Sequence, residues 1–149
     1  MELDDDGDGL TDCEGDCNDA SEFTFPGAVE VNDGLDNQCP GETGFGLTDE
    51  ISGLAGFTNP GDPHAFCWPP QLFAVLYEAS RSDAPDQPLG CERTDAVGTC
   101  WSDAAVPAPG QTFFYLARVN CQYLGSLGAD SEGVERSWGC EHPSPFCPD

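Results

Sequence analysis

The chain has 149 residues, of which 28 are acidic and only 4 are basic, giving a formal net charge of -24. A nucleic-acid-binding protein and a protein docked on an anionic membrane both need clustered cations, so the charge excludes these two functions. The longest apolar run, from Leu72 to Tyr77, is far too short to cross a bilayer. We expect an acidic folded protein with no nucleic-acid partner and no membrane insertion.

Nine cysteines predict a disulfide framework made in an oxidising compartment. A zinc protein is disfavoured because the sequence has no C-x-x-C spacing and only two histidines. Since nine is odd, at least one cysteine is unpaired or bonds to another chain. Residues 2–8 are acidic where a secretory leader would be basic and then apolar. We therefore expect a mature form or a fragment of an exported protein, extracellular or at the cell surface.

The acidic residues concentrate in the first third of the chain, because residues 1–50 hold 16 of the 28 and none of the basic ones. This part has too few apolar residues to fold by burial alone, so it is either disordered or neutralised by cations. Residues 4–12 follow the spacing D-x-D-x-D-G-x-x-D, which brings alternate carboxylates to one centre once the glycine reverses the loop. The predicted ligands in this loop are Asp4, Asp6, Asp8, the carbonyl of Leu10, and Asp12.

Hard oxygen ligands in this number favour calcium over zinc or copper. The loop departs from the EF-hand pattern at its last ligand position, where Gly15 stands instead of a bidentate glutamate. Asp16 or Asp19, just downstream, would supply that ligand. The alternative is a solvated acidic run that binds no ion.

Three further motifs follow the loop: D-C-N-D at 16–19, P-G-A-V-E at 26–30 and D-G-L-D-N-Q-C at 33–39. Together they resemble the MopE-like metal-binding repeat of bacterial secreted and surface proteins, which is similar in style to the calcium repeats of thrombospondins. The resemblance covers residues 4–41 and implies bound calcium and a Cys17–Cys39 disulfide, while ligand counting gives about one to three ions. It implies that Asp4, Asp6, Asp8 and Leu10 hold one ion. The ligand pool that it implies for further ions is Asp16, Asn18, Asp19, Glu30, Asp33, Asp36 and Asn37.

The segment departs from the repeat at three positions. Asn32 replaces the usual cysteine, and Pro40 replaces the usual aspartate after Cys39. Cys13 is additional, which makes it our first candidate for the unpaired or intermolecular thiol. Copper sites use imidazole or sulfur ligands, and this segment has no histidine, so we favour calcium.

From residue 49 the sequence changes to short strand-like runs separated by glycine and proline clusters. Several short strands at this spacing predict an antiparallel β-sandwich, so the fold class is mostly β and disulfide-rich. We place an irregular calcium-bound segment with its linker at 1–46 and an immunoglobulin- or fibronectin III-like sandwich at 47–149. The predicted strand runs are 51–57, 65–68, 72–79, 91–94, 98–101, 112–122 and 124–128.

Residues 109–120 resemble the penultimate strand of fibronectin type III domains, with Tyr115 as the corner tyrosine. Residues 125–136 are similar to the ending of bacterial fibronectin-like domains, and this resemblance implies a Cys121–Cys140 disulfide. We expect Cys91 with Cys100 to close a local hairpin, and we suggest Cys67 with Cys147. Trp68 is the predicted core tryptophan, whereas Trp101 and Trp138 are equally compatible with the core and with the surface.

No catalytic motif is present, and His64 and His142 lie in turn-like or proline-rich sequence, so no catalytic residue is assigned. A glycosidase-type carboxylate pair is disfavoured because the acidic excess follows calcium-type spacing. We expect a non-enzymatic module that self-associates into a surface polymer or filament. The alternatives are a calcium or lanthanide scavenger, and an accessory module that binds carbohydrate through Trp101, Trp138 or Tyr123.

Overall fold

The structure, a computed structural model, describes residues 3–51, 61–62, 64–84, 93–96, 98–121 and 123–137. In these ranges a single 3-10 turn, Asp12–Glu14, precedes six strands. The strands are β1 (Ala65–Cys67), β2 (Tyr77–Ser82), β3 (Arg93–Ala96), β4 (Cys100–Ser102), β5 (Phe114–Cys121) and β6 (Tyr123–Leu124). The described part is therefore mostly β, as predicted, and contains no helix long and apolar enough to cross a membrane.

The larger sheet is antiparallel and has the strand order β3-β2-β5-β6. Its central pair joins β2 to β5, with Tyr77 opposite Val119 and Ser82 opposite Phe114. Phe114, Tyr115 and Val119 of β5 are residue types that favour strands, which explains why the run 112–122 is readable as a strand from sequence. Of the other predicted runs, 51–57 lies almost wholly outside the described residues, and only Leu124 of 124–128 lies in a strand.

The smaller sheet pairs β1 with β4, and it corrects two disulfide predictions. The register places Cys67 directly opposite Cys100, and these two residues are bonded to each other with their Cα atoms 4.1 Å apart. The Cys91–Cys100 and Cys67–Cys147 pairings are therefore wrong, because the pairing of two distant strands, not proximity in sequence, brings the partners together. Cys121 is disulfide-bonded, and its predicted partner Cys140 lies outside the described residues.

The core of the β part is a cluster around Trp68, which is 4% exposed. Tyr77, Ala79 and Val119 complete the cluster, and Trp101 packs against it half-buried. This confirms Trp68 as the core tryptophan. Trp138 lies outside the part of the chain that the structure describes.

The two sheets contact each other through aromatic rings. The ring of Phe66 on β1 stacks on that of Tyr115 on β5, with 4.1 Å between the centroids. The Tyr115 hydroxyl donates to Asp103 Oδ2 at 3.1 Å, whereas a fibronectin-type corner tyrosine donates to the backbone. The described strands thus form two small antiparallel sheets, and the complete sandwich stays a prediction.

The acidic N-terminal segment is anchored on the β part by hydrogen bonds to backbone carbonyls. Asn32 N–H donates to the carbonyl of Leu72 at 2.9 Å, and the Asn32 side-chain amide donates to the carbonyl of Tyr123 at 3.4 Å. The Cys17–Cys39 disulfide closes the segment on itself, as the MopE-like resemblance implies. The segment therefore has a defined path despite its small apolar content.

Candidate metal centre

The loop at residues 4–10 folds through side chain to backbone hydrogen bonds made by its own carboxylates. Asp6 Oδ1 accepts the N–H of Asp8 at 3.0 Å, and Asp8 Oδ1 accepts the N–H of Leu10 at 2.7 Å. Asp4 accepts the N–H of Gly7 at 2.7 Å and that of Gly9 at 3.2 Å. Both glycines have positive φ, 87° and 102°, a backbone conformation that other residues rarely adopt. The D-x-D-x-D-G spacing therefore reverses the chain and turns alternate carboxylates to one side.

Asp16 joins this loop from outside it. Asp6, Asp8 and Asp16 each bring a carboxylate oxygen to within 4.8 Å of those of the other two. The Oδ1 atom of Asp16 accepts the N–H of Asn18 at 3.0 Å, and the residue is only 7% exposed. The Oδ2 atoms of all three residues are buried and have no hydrogen-bond partner in the described part of the chain. Three carboxylate oxygens are thus shielded from water, and the described residues provide no hydrogen-bond donor to any of them. Buried polar atoms normally have a partner, so a bound ligand would satisfy them.

A second group of carboxylates is more exposed than the first. Asp4, Asp6 and Asp19 also bring carboxylate oxygens within 4.8 Å of one another, so Asp6 belongs to both groups. Asp19 Oδ1 accepts the N–H of Asp5 at 2.9 Å, which holds the loop against residues 16–19. That hydrogen bond lowers the pKa of Asp19, but desolvation and the charges of nearby aspartates outweigh it, so the pKa of Asp19 is raised overall.

The charge of this cluster is not balanced within its own segment, because residues 1–50 contain no lysine, arginine or histidine. Carboxylates within 4.8 Å of one another repel, and partial burial strengthens the repulsion because it lowers the local dielectric. A bound cation would remove this repulsion and would also satisfy the buried Oδ2 atoms. The donors are all hard oxygen atoms, which suit calcium, magnesium or manganese better than copper or zinc.

Other predicted ligands of the first loop take different positions. Asp12 begins the 3-10 turn, is exposed, and belongs to neither group of convergent acidic residues found in the described ranges. Asn18 is exposed, and its carbonyl accepts the N–H groups of Ala20 and Ser21. Leu10 is half-buried and donates its N–H to Asp8. After the glycine turn the backbone therefore differs from that of an EF-hand loop. Gly15 occupies the twelfth position of the loop, and the next residue, Asp16, brings its carboxylate to those of Asp6 and Asp8.

The acidic residues of the second half of the segment mainly bind backbone N–H groups. Glu30, 2% exposed, accepts from Asp49 at 2.7 Å and from Asn37 at 3.0 Å, while Asp33 accepts the N–H of Leu35 at 2.8 Å. Desolvation raises the pKa of Glu30 from 4.5 to about 7, although both hydrogen bonds lower it. Within the described ranges, Glu30 and Asp33 belong to no convergent group of three acidic residues.

Asp36 and Asn37 stabilise the same turn region. Asp36 accepts the N–H of Gln38 at 3.1 Å and that of Gly46 at 2.6 Å. Asn37 is fully buried, and its side-chain oxygen accepts the N–H of Val31 at 2.8 Å. These contacts show how the side chains order the turns, and their assignment as metal ligands stays a prediction.

Two acidic residues that the sequence analysis did not single out are part of this framework. Asp49 is 1% exposed, has a positive φ of 53°, and accepts the N–H of Gly34 at 3.1 Å. Glu42 accepts the N–H groups of Gly27 and Cys39, both at 2.8 Å. Both residues follow the acidic motifs in sequence, in or next to the predicted linker, and their spacing carries no ligand pattern that would have marked them.

The aromatic side chains proposed for carbohydrate binding are engaged in packing where the structure describes them. The ring of Trp101 lies edge-on to that of Tyr115, with 5.5 Å between the centroids. Tyr123 is 43% exposed, but its ring lies against Gly34 so closely that a Cβ there would collide with it. Carbohydrate binding stays an untested prediction.

Comparison with known proteins supports the metal-binding motif and nothing further along the chain. The family model Cu-binding MopE, described as "Putative metal-binding motif", matches residues 16–43. The searches of curated proteins and of solved structures gave no match. The fibronectin resemblance of the second part is therefore not supported by any comparison. The chain therefore contains a metal-binding motif of the MopE type. Asp16 is the first matched residue, and its carboxylate lies close to those of the aspartate loop that precedes the match.

Proposed function

We propose that this chain is a non-enzymatic, extracellular structural module that binds calcium in its acidic segment. One observation carries the proposal: the buried, unpartnered Oδ2 atoms of Asp6, Asp8 and Asp16 belong to residues whose carboxylates converge. Carboxylate oxygens in this number suit calcium, and the predicted carbonyl ligand of Leu10 would add one further oxygen donor. The Cys17–Cys39 and Cys67–Cys100 disulfides and the MopE-type match are compatible with an extracellular or periplasmic location.

The ion would act as a folding element. A loop at 4–10 with little apolar surface would be tied by the cation to Asp16, next to the Cys17–Cys39 disulfide. If external calcium is 100 to 1,000 times the dissociation constant, binding adds about 2.7–4 kcal/mol to the free energy of unfolding. This is a large share of the stability of a small domain.

The identity of the ion is tested by titration calorimetry of the full chain with calcium, magnesium, zinc and copper in turn. We expect calcium to bind with the highest affinity, at one to three sites, and magnesium to bind more weakly because it demands a tighter octahedral shell. A preference for copper or zinc over calcium would contradict the proposal.

We further propose that the module is a subunit of a bacterial surface assembly or filament, a homopolymer in which calcium also acts at the junctions. Two properties support this: the net charge of -24 needs cations before copies can approach, and the cysteine count is odd. Sedimentation velocity with calcium and then with chelator tests it. A large calcium-dependent species is expected, and a monomer under both conditions would leave the ion as a folding element only.

A further inference from the structure

A cavity of about 320 Å³ lies at the contact between the two sheets of the β part. Its polar lining includes His64 and Asp103. Small-molecule sites begin at about this size and combine a mostly apolar or aromatic lining with a few polar groups that orient the ligand. Rings make up most of the apolar lining, and we call the site the aromatic cavity. The ring-bearing residues that line it are Phe66, Pro107, Phe113 and Tyr115.

The aromatic rings of this lining are held in place by contacts with one another and with their neighbours. Tyr115 stacks on Phe66, and Phe113 lies edge-on to Tyr115, with 6.5 Å between the last two centroids. Trp101 packs edge-on against Tyr115 from β4. The guanidinium carbon of Arg81 lies 4.5 Å from the centroid of the Phe113 ring. A ligand would therefore meet rings that are already positioned, and binding would cost little free energy for ordering them.

Asp103 is the fixed polar group of the aromatic cavity, because its side chain is 10% exposed and both of its oxygens accept hydrogen bonds. Its Oδ2 atom accepts from Arg81 Nη1 at 2.6 Å and from the Tyr115 hydroxyl at 3.1 Å, and its Oδ1 atom accepts the N–H of Ala105 at 2.8 Å. Desolvation raises the pKa of Asp103, but these hydrogen bonds and the charge of Arg81 lower it by more. The carboxylate is therefore ionised, and the guanidinium beside it balances its charge.

The lining offers hydrogen-bond acceptors to a ligand. His64 Nδ1 lies 3.0 Å from the carbonyl oxygen of Asp103, and since a carbonyl only accepts, Nδ1 carries the proton of the neutral ring. The other ring nitrogen, Nε2, is then an acceptor. The phenolic oxygen of Tyr115 donates its proton to Asp103 and keeps lone pairs that also accept. A ligand that matches these groups must donate hydrogen bonds, as hydroxyl groups do.

Charge narrows the class of ligand further. The net charge of -24 repels acidic ligands. A cationic ligand gains little at this site, because the ion pair of Arg81 with Asp103 leaves no unbalanced negative charge in the described lining. The ligand that remains is uncharged, carries hydroxyl donors and has an apolar face for the rings.

We infer that the aromatic cavity binds a neutral saccharide, whose C–H groups pack on the Phe113 ring while its hydroxyl groups donate to His64 Nε2 and the Tyr115 oxygen. The site lies outside the family match at 16–43 and does not depend on the calcium centre. It also differs from the carbohydrate surface predicted from sequence, because Trp101 supports the Tyr115 ring and is not part of the described lining.

Affinity electrophoresis of the full chain in native gels with calcium tests the inference. The high negative charge of the protein drives its migration, and an uncharged polysaccharide in the gel retards it only if the protein binds that polymer. The probes are soluble β-glucan, xylan, galactomannan and starch, which are all neutral. We expect at least one of these polymers to retard the wild type in a concentration-dependent way.

Two variants locate the site. F113A removes one ring of the lining and should weaken polysaccharide binding by about tenfold, whereas the matched control F45A removes a ring that is 49% exposed outside the cavity and should bind as the wild type. If F113A does not unfold cooperatively in urea, H64A replaces it, because His64 is exposed and lies outside the core cluster. We expect a similar loss for H64A. Binding equal to that of F45A in a folded F113A or H64A, or no retardation of the wild type by any of the four polymers, would overturn the inference.

Discussion

Asp16 and Asp8 bring carboxylate oxygens to within 4.8 Å of each other, and the Oδ2 atom of each is buried without a hydrogen-bond partner in the described residues. The two residues come from different turns, one in the aspartate loop and the other just after the 3-10 turn. Two carboxylates this close repel each other, and a bound cation would remove the repulsion. The contact joins the aspartate loop to the family-matched segment, and on the proposed function a cation would strengthen that link.

Replacement of Asp16 by asparagine should weaken calcium binding by about tenfold to a hundredfold, equivalent to about 1.4–2.8 kcal/mol. The variant keeps the size of the side chain but removes one charged ligand from the buried side of the site. Isothermal titration calorimetry measures the change. The matched control is D5N, which removes the same charge from an exposed residue of the same loop. Equal affinities for D16N and D5N would show that Asp16 contributes only long-range charge.

Removal of calcium should lower the melting temperature by about 10 °C, if the ion contributes the 2.7–4 kcal/mol expected for near-saturating conditions. Only the folded chain assembles Asp6, Asp8 and Asp16, so the ion stabilises the folded state alone. Differential scanning calorimetry with and without chelator measures the shift. In D16N the same comparison should give a much smaller shift. A wild-type melting temperature that chelator does not change would contradict a folding role for the ion.

The local sequence predicted the metal loop better than it predicted the site. The spacing of Asp4, Asp6 and Asp8 follows from loop chemistry, because alternate carboxylates and a glycine define the turn within a few residues. The sequence offers Asp16 or Asp19 for the missing last position without choosing between them, and the structure groups Asp16 with Asp6 and Asp8, and Asp19 with Asp4 and Asp6. How residues on either side of the 3-10 turn at Asp12–Glu14 come together is set by backbone geometry that no spacing rule specifies.

The same limit applies to the β part. The run 112–122 was readable as β5 because local alternation and β propensity agree there. The pairing of β1 with β4 gives no local signal in the sequence, because it joins residues 33 apart. For that reason the predicted partners of Cys67 and Cys100 are wrong, and the two residues are bonded to each other. The buried position of Arg118 on β5 also depends on its neighbour across the sheet.

Replacement of both Cys17 and Cys39 by serine should reduce calcium affinity as well as stability. The disulfide closes a loop with a sequence separation of 22, and loss of such a bond costs about 3 kcal/mol. Because Cys17 directly follows Asp16, a looser backbone there would release Asp16 from the aspartate loop. The matched control is C67S/C100S, which also removes one disulfide but lies in the smaller sheet.

Calorimetric titration of both double variants measures the calcium affinity. We expect a clear loss for C17S/C39S and little change for C67S/C100S, provided that the latter is folded at the working temperature. Equal losses in the two variants would mean that the disulfides act on binding only through global stability.

The free energy of unfolding should fall as the pH rises from about 4.5 to about 7, through the ionisation of Glu30. Desolvation raises the pKa of this carboxyl from 4.5 to about 7 in the folded chain, so the folded state binds the proton more tightly than the unfolded state. The stabilisation is full below the unfolded pKa and is lost as the pH passes the folded pKa. Its size is about 3 kcal/mol, because the pKa rises by about 2.5 and one pKa unit corresponds to about 1.4 kcal/mol.

Urea unfolding of the wild type and of E30Q from pH 5 to pH 8, at fixed saturating calcium, isolates this contribution. Glutamine resembles the protonated side chain, so the stability of E30Q relative to the wild type should increase with pH. The many other carboxylates titrate in both proteins and cancel in the difference. A difference that stays constant across this range would contradict the raised pKa of Glu30.

Replacing one partner of the Arg118–Glu78 ion pair should lower the free energy of unfolding more than replacing both partners. Arg118 Nε donates to Glu78 Oε2 at 2.8 Å across the β2–β5 pair, and the Glu78 side chain is 0% exposed. R118M would leave the buried carboxylate without its guanidinium, at a cost of about 3–5 kcal/mol, whereas E78M/R118M would remove both charges and retain apolar packing. Urea unfolding of the two single variants and the double variant completes a double-mutant cycle. Additive losses, with the double variant as unstable as the sum of the singles, would show that the pair does not act as a unit.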